Sequence, residues 1–287
     1  MGFLSGLFGG PRRVDLWKRF KRLSESHTGT MSTFYKVRDS RDGEVRGLKL
    51  IDVARQAPVE GRYKGLGKPN EGEIGSRIRG DHVARTLEWG VATTGEPFVL
   101  TEYVDGVLLH TLLRTGKPLA AAERIDLVRQ AAAAVGAVHA AGFVHRDICP
   151  RNLILRSDGR LVIFDFGLAV PDQPAFLQPG NRVGTPQYMA PEVVRRRQAD
   201  RRLDMFSLGV TAYEICTRRL PWGAAKSGSG AAALAHDSPP DDIRSHWPEI
   251  PPSLAAAVQA CIAANPAVRP ATTEAFLRLF ANVPAST

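Results

Sequence analysis

Between Leu23 and Val104, apolar residues alternate with polar ones in short runs, the two-residue period of strands that bury one face. Turn signals interrupt the runs at "DSRDGEV" (39–45) and "TTGEP" (93–97), each separating two apolar stretches as a hairpin connection does. Inside this region "EGEIGSRIR" (71–79) reads as a short helix. Beyond Asp105 the period changes. The stretch "AAERIDLVRQAAAAVGAVHAAG" (121–142) sets Ile125, Val128, Ala132, Val135 and Val138 at helical spacing, with Gly142 as the stop. Helical patterning dominates from there on. The exception is "NLILRSDGRLVIFDFG" (152–167), two short apolar strands around a Ser-Asp-Gly turn. Residues 1–15 form an apolar, glycine-rich leader, and 224–242 form a small-residue, proline-containing connection; no repeat period is visible.

Length and composition narrow the reading. At 287 residues, with 44% hydrophobic and 23% charged residues, the chain is an ordinary globular protein of one large domain or two joined lobes. Cys149, Cys216 and Cys261 are odd in number and far apart, which fits neither a disulfide framework nor paired zinc ligands, so a reducing compartment is expected. No run of eighteen apolar residues exists, and the expected location is cytoplasmic. A net charge of +9 and a pI near 9.8 suit anionic partners. The arginines are scattered rather than striped, however, in clusters such as "PRRVDLWKRFKRL" (11–23) and "RRRQADRR" (195–202), the second of which lacks the aromatic interleaving that single-stranded nucleic acid favours. They read as solvated basic faces, and no nucleic-acid partner is expected. The leader, residues 1–23, sets apolar residues beside basic ones and could rest weakly on an anionic membrane surface.

The chemistry concentrates in three short blocks: "HRDICPRN" (145–152), "FDFG" (164–167) and "APE" (190–192). Asp147, Asn152 and Asp165 stand at strand ends and in tight loops, rigidly held yet reachable. Phosphoryl transfer calls for such a set, because its barrier falls through positioning and charge. One carboxylate meets the attacking hydroxyl; a second carboxylate and an amide oxygen are hard ligands of the kind Mg²⁺ takes.

In order and spacing these blocks resemble the protein kinase family from residue 23 to residue 282. The resemblance implies an α+β, bilobal fold with a strand-rich N-lobe (23–104) and a larger helical C-lobe (105–282), preceded by the leader (1–22) and followed by a tail (283–287). It implies ATP and Mg²⁺ as cofactors and a protein as substrate. By family role Asp147 is the catalytic base, Asn152 and Asp165 are the metal ligands, and Phe166 is the packing residue beside them. Lys49 in "GLKL" is the phosphate-holding lysine, and Glu71, in preference to Glu73, is its partner. Thr101 is the gatekeeper, Glu102 and Val104 form the adenine-reading hinge, and Ile154 is the floor of the base pocket. Glu192 and Arg269, in "GTPQYMAPE" and "NPAVRP", are an expected buried ion pair, and "DMFSLGV" (204–210) completes the later blocks.

The chain departs from the family pattern in two places. Gly29 stands almost alone in "HTGTMSTF" where the phosphate-covering loop usually carries several glycines, and Cys149 replaces a lysine. Arg151, two residues on, is expected to supply the missing cation to the transferring phosphoryl group. The implied activity is a serine/threonine protein kinase, the alternative being a scaffold that no longer turns over. The segment 168–184, "LAVPDQPAFLQPGNRVG", contains no Ser, Thr or Tyr, so phosphorylation there is not expected to be the switch.

Overall fold

The computed structural model describes residues 13–222 and 238–284, in two compact units. The first comprises the chain up to Gly61 together with Arg85–Tyr103. Its elements are β1 (Arg13–Val14), helix α1 (Leu16–Arg19), β2 (Phe20–Arg22), β3 (His27–Thr28), β4 (Ser32–Asp39), β5 (Val45–Ile51), helix α2 (Val53–Glu60), β6 (Thr86–Ala92) and β7 (Pro97–Glu102). The strands make one sheet in the order β1-β6-β7-β5-β4-β2, with β3 also on β4; every pairing is antiparallel except β1 on β6. The hairpin turns lie where the sequence places them, with Gly43 and Gly95 at φ 77° and 102°. Val37, Leu48, Phe98 and Leu100 alternate inward along their strands and close the core with Leu16, Phe20 and Ala92.

Two members of that core, Leu16 and Phe20, change the reading of the leader. Residues 13–22 belong to the sheet unit. Asp15 caps α1 by accepting from the Lys18 N–H at 3.1 Å, and Leu16 and Phe20 are buried. Arg19 pairs with Asp39 at 2.7 Å and with Glu88 at 2.8 Å. Burial, the largest single influence, would raise the Asp39 carboxyl; the hydrogen bonds from Arg19 and the Arg41 N–H, with the charges of both arginines, together outweigh it and hold Asp39 below the usual carboxylate range. The guanidinium of Arg22 lies 3.9 Å from the Trp17 ring centroid. These basic residues read as a solvated face because the sequence pattern does not show which acidic or aromatic neighbours the sheet brings to them. The rest of the leader, residues 1–12, lies outside the described residues, and so does most of the 224–242 connection.

The second unit contains Arg62–Ala84 and the chain from Val104 onward. Its elements are α3 (Glu71–Arg77), β8 (Gly106–Leu108), α4 (Leu109–Thr115), α5 (Ala121–Ala140), β9 (Phe143–Val144), β10 (Leu153–Arg156), β11 (Leu161–Ile163), β12 (Val170–Pro171), α6 (Pro191–Val194) and α7 (Arg202–Thr217), followed by helices Pro252–Cys261 and Thr273–Arg278. All five periodic positions of α5, Ile125 to Val138, are buried. Its stop is as read, with Gly142 at φ 82° and its N–H donating to the His139 carbonyl at 3.0 Å. Helix α3, expected to extend to residue 79, stops at Arg77 because Ile78 is extended. Residues 62–84, read with the strands, make their contacts here: the Ala84 N–H donates to the Ile163 carbonyl at 2.9 Å and a His82 ring nitrogen meets the Leu161 carbonyl at 2.8 Å. Among the described residues, no helix is long and apolar enough to cross a membrane.

Candidate active site

The site is built on the reversal that follows β9. Arg146 has φ 70°, a left-handed conformation costing a non-glycine residue about 1 kcal/mol, so the loop needs an anchor. Asp204, wholly buried at the start of α7, provides it. Its carboxylate accepts from the His145 N–H at 2.7 Å, the Arg146 N–H at 2.8 Å and His139 Nε2 at 3.0 Å. Burial, the largest single influence, would raise the Asp204 carboxyl, but the hydrogen bonds and electrostatic attraction of His139 and His145 together outweigh it and hold the carboxyl below its ordinary range.

This anchored turn presents Asp147 with both carboxylate oxygens occupied. Oδ1 accepts from the Thr185 N–H at 2.7 Å and Oδ2 from Asn152 Nδ2 at 2.9 Å. Asn152 Nδ2 also donates to the Asp147 carbonyl at 2.7 Å, so the amide nitrogen is fully engaged and its oxygen remains as an acceptor. Gly184 permits the contact with Thr185: it has φ 112°, and a Cβ there would stand 2.5 Å from the Arg146 carbonyl oxygen. Asp165 adopts φ 66° after β11, and its Oδ1 accepts from the Gly167 N–H at 3.1 Å. The Phe164 N–H donates to the Asn152 carbonyl at 3.1 Å, which ties the two loops together. Phe166 is buried edge-on to His145, with ring centroids 5.6 Å apart.

Cys149 is buried inside the loop with Sγ 3.6 Å from Thr185 Oγ1. Burial, and next the charge of Asp147, push its thiol up to about 12, so it is neutral at physiological pH and no substitute for a cation. The side chain of Arg151 is exposed and makes no hydrogen bond or ion pair among the described residues, while the backbone N–H donates to the Cys149 sulfur; its charge bears on Tyr188, Glu214 and His110. Tyr188 donates to Glu214, whose carboxyl is raised chiefly by burial. Ile154, in β10, pairs with Val162 and Leu108, and Val104 also belongs to this unit. Glu71 is buried at the start of α3, whereas Glu73 closes a capping box with Asn70 through two 3.0 Å hydrogen bonds.

The remaining candidates lie in the first unit. Lys49 sits in β5 opposite Phe34 of β4 and Val99 of β7. The Gly29 N–H donates to the Ser32 carbonyl at 2.8 Å; a Cβ there would meet only that oxygen, at an ordinary 3.6 Å, so this turn does not itself demand glycine. Gly47 is demanded, because a Cβ would lie 2.7 Å from Thr101 Oγ1 and 2.8 Å from the Phe34 ring. Glu102 Oε1 accepts from the Arg85 N–H at 2.8 Å.

Comparison with known proteins decides the family. The family model described as "Protein kinase domain" matches residues 21–280. The chain belongs to the protein kinase family. Among curated relatives, it is 33% identical over 216 residues to the serine/threonine-protein kinase pkn3 of Myxococcus xanthus, covering 72% of this chain and 40% of that one. It is 31% identical over 244 residues to the serine/threonine-protein kinase PknD of Mycobacterium tuberculosis, covering 84% and 36%. A probable serine/threonine-protein kinase, PkwA of Thermomonospora curvata, is 34% identical over 274 residues, covering 94% and 35%. The chain thus spans two-fifths or less of the length of these relatives.

The chain has the strand-rich part and the larger helical part that the resemblance implied, but residues 62–84, expected with the strands, belong to the helical unit. The ion pair of Glu192 and Arg269 is present, at 2.7 and 2.8 Å, inside the helical unit. The sequence reading missed Asp204 and His139 as members of the site. Asp204 was visible only as the lone carboxylate opening the apolar run "DMFSLGV".

Proposed function

We propose that this kinase domain transfers the γ-phosphoryl group of ATP to serine and threonine hydroxyls of a protein substrate. The observation that carries the proposal is the two-sided grip on Asp147 by Thr185 and Asn152, at 2.7 and 2.9 Å, which aims a carboxylate without neutralising it. Such a group accepts the hydroxyl proton as the oxygen attacks phosphorus.

The donor set suits a hard cation. The free oxygen of Asn152 and the carboxylate of Asp165 are oxygen ligands in adjoining loops, and among the described residues no cluster of three or more His, Cys, Asp or Glu would hold a metal unaided. That composition fits Mg²⁺ carried in with nucleotide phosphates. When bound, the ion would neutralise charge on those phosphates. We assign Lys49 to the α- and β-phosphates with Glu71 as its partner, Gly29 and its turn to covering the phosphates, and Thr101, Glu102, Val104 and Ile154 to the adenine. Arg151, exposed and without an ion pair among the described residues, is assigned to the transferring phosphoryl group in place of the neutral Cys149. The similarity of the chain to named serine/threonine kinases supports the hydroxyl specificity. The three buried free cysteines are in keeping with a cytoplasmic setting.

Incubating the chain with γ-labelled Mg·ATP and a mixed protein substrate, followed by phosphoamino-acid analysis, tests the specificity. Label on serine and threonine is expected; label on tyrosine alone would contradict it.

A further inference from the structure

Arg146 is a buried cation with unusual partners. It is 7% exposed and makes no ion pair among the described residues. Its Nη1 donates to the hydroxyl of Tyr63, and its guanidinium carbon lies 5.6 Å from the Tyr63 ring centroid. Nη2 is buried with no hydrogen-bond partner. Arg146 borders a cavity lined in part by Phe176, Leu177, Gly180, Asn181 and Val183. A buried guanidinium is costly unless acceptors meet its donors, and here the one side-chain acceptor it finds is a phenol.

Tyr63 is itself tied to the segment that closes over this cavity. It is 4% exposed, and its ring packs against Phe176 with centroids 5.9 Å apart. Its neighbour Arg62 donates from Nη1 to the Gly180 carbonyl and to Asn181 Oδ1, both at 3.2 Å. The same segment ends at Gly184, which lies so near the Arg146 carbonyl that an added Cβ would stand 2.5 Å from its oxygen, and at Thr185, whose N–H holds Asp147. Arg146 therefore joins three things: the Asp204 anchor through its N–H, the end of the segment through its carbonyl, and Tyr63 through its side chain.

We propose that Tyr63 and Arg62 form a built-in brace that orders residues 172–184 without any covalent modification, with Tyr63 acting as a positioning residue for Asp147 through Arg146. The segment carries no hydroxyl to which a phosphate could be attached. The hydroxyl of Tyr63 gives Arg146 an acceptor that needs no modification, so the arrangement is constitutive. This inference rests on the kinase reading for its catalytic consequence but not for its structural one.

The test uses the full chain after phosphatase treatment, comparing wild type, Tyr63→Phe, Arg62→Ala, Arg146→Ala and the Tyr63→Phe/Arg146→Ala pair. Chymotrypsin cleavage after Phe176, buried in the closed segment, reports its opening. Loss of a charge-assisted hydrogen bond should speed cleavage of Tyr63→Phe by about tenfold, with Arg62→Ala also faster than wild type. On a protein substrate, kcat of Tyr63→Phe should fall by a similar factor with KM for ATP unchanged. The double variant should lose no more than Arg146→Ala alone, because both changes remove one interaction. Tyr63→Phe keeps the ring, so a packing role alone would leave cleavage and kcat at wild-type values, and that result overturns the proposal. Losses that multiply in the double variant, or activity that phosphatase abolishes, would overturn it equally. If wild type transfers no phosphate at all, the kinase reading fails, and the cleavage rates still decide the brace.

Discussion

Replacing Gly184 with alanine perturbs the contact between the segment end and the catalytic loop at one atom. The new Cβ would stand 2.5 Å from the Arg146 carbonyl oxygen, where ordinary contact begins at 3.4 Å, and φ 112° is itself a conformation that alanine resists. The backbone must part by about 1 Å, and a misplacement of that size near a reacting group can cost about a hundredfold in rate. The hydrogen bond that suffers is the 2.7 Å one from the Thr185 N–H to Asp147, which would stretch to about 3.7 Å and cease to be one. Forfeiting a hydrogen bond to a carboxylate removes about 1.5–3 kcal/mol, or roughly ten- to a hundredfold in kcat if it is felt fully at the transition state. Steady-state kinetics on a protein substrate should show that loss, while urea denaturation shows about 1–3 kcal/mol of destabilisation. Gly159→Ala is the control. It has φ 82° and open space around its missing Cβ, so it should lose about 1 kcal/mol of stability from backbone strain and leave kcat untouched. A Gly184→Ala enzyme within twofold of wild-type kcat would refute the reasoning that the Thr185 N–H positions Asp147.

Arg151→Ala should lower kcat by roughly ten- to a hundredfold and leave nucleotide affinity nearly unchanged, by kinetics and calorimetry, with Cys149→Ser close to silent. Arg269→Ala strands the buried Glu192 carboxylate and should cost about 3–5 kcal/mol in urea denaturation, far more than loss of the exposed pair Arg55–Asp52. Acid should act through Asp39 and Asp204, whose folded pKa values lie below their unfolded ones. Their contribution is fully present above the unfolded value of about 3.9 and is lost as pH falls through the folded values, so thermal midpoints should drop below pH 4, and less steeply in Asp39→Asn.

The elements with strong local patterns are legible in the sequence. Ile125 to Val138 and Gly142 defined α5, and Gly43, Gly95 and Gly159 defined their turns, because period and positive φ are properties of short stretches. The loop residues Asp147, Asn152 and Asp165 were legible through their fixed order. What escaped depends on long-range pairing. Leu16, Phe20 and Arg19 looked like a detached leader because Asp39 and Glu88, which meet Arg19, lie 20 and 69 positions away. Residues 62–84 sat among strands in the sequence yet pack on Leu161 and Ile163. Asp204 is 58 positions from the Arg146 N–H that it holds, and Tyr63 is 83 positions from the Arg146 side chain. No period or spacing signals such contacts.

The central claim is that Asp147 serves as the proton acceptor in phosphoryl transfer, and Asp147→Asn tests it most directly. Asparagine keeps the side-chain shape and an oxygen acceptor but has no useful basicity. Phosphate transferred from Mg·ATP to a serine/threonine protein substrate should fall by about 10²–10⁴-fold in kcat, while calorimetric affinity for Mg·ATP stays within a few-fold of wild type. Equal transfer rates for the two proteins, or nucleotide binding with no transfer by either, would contradict the account.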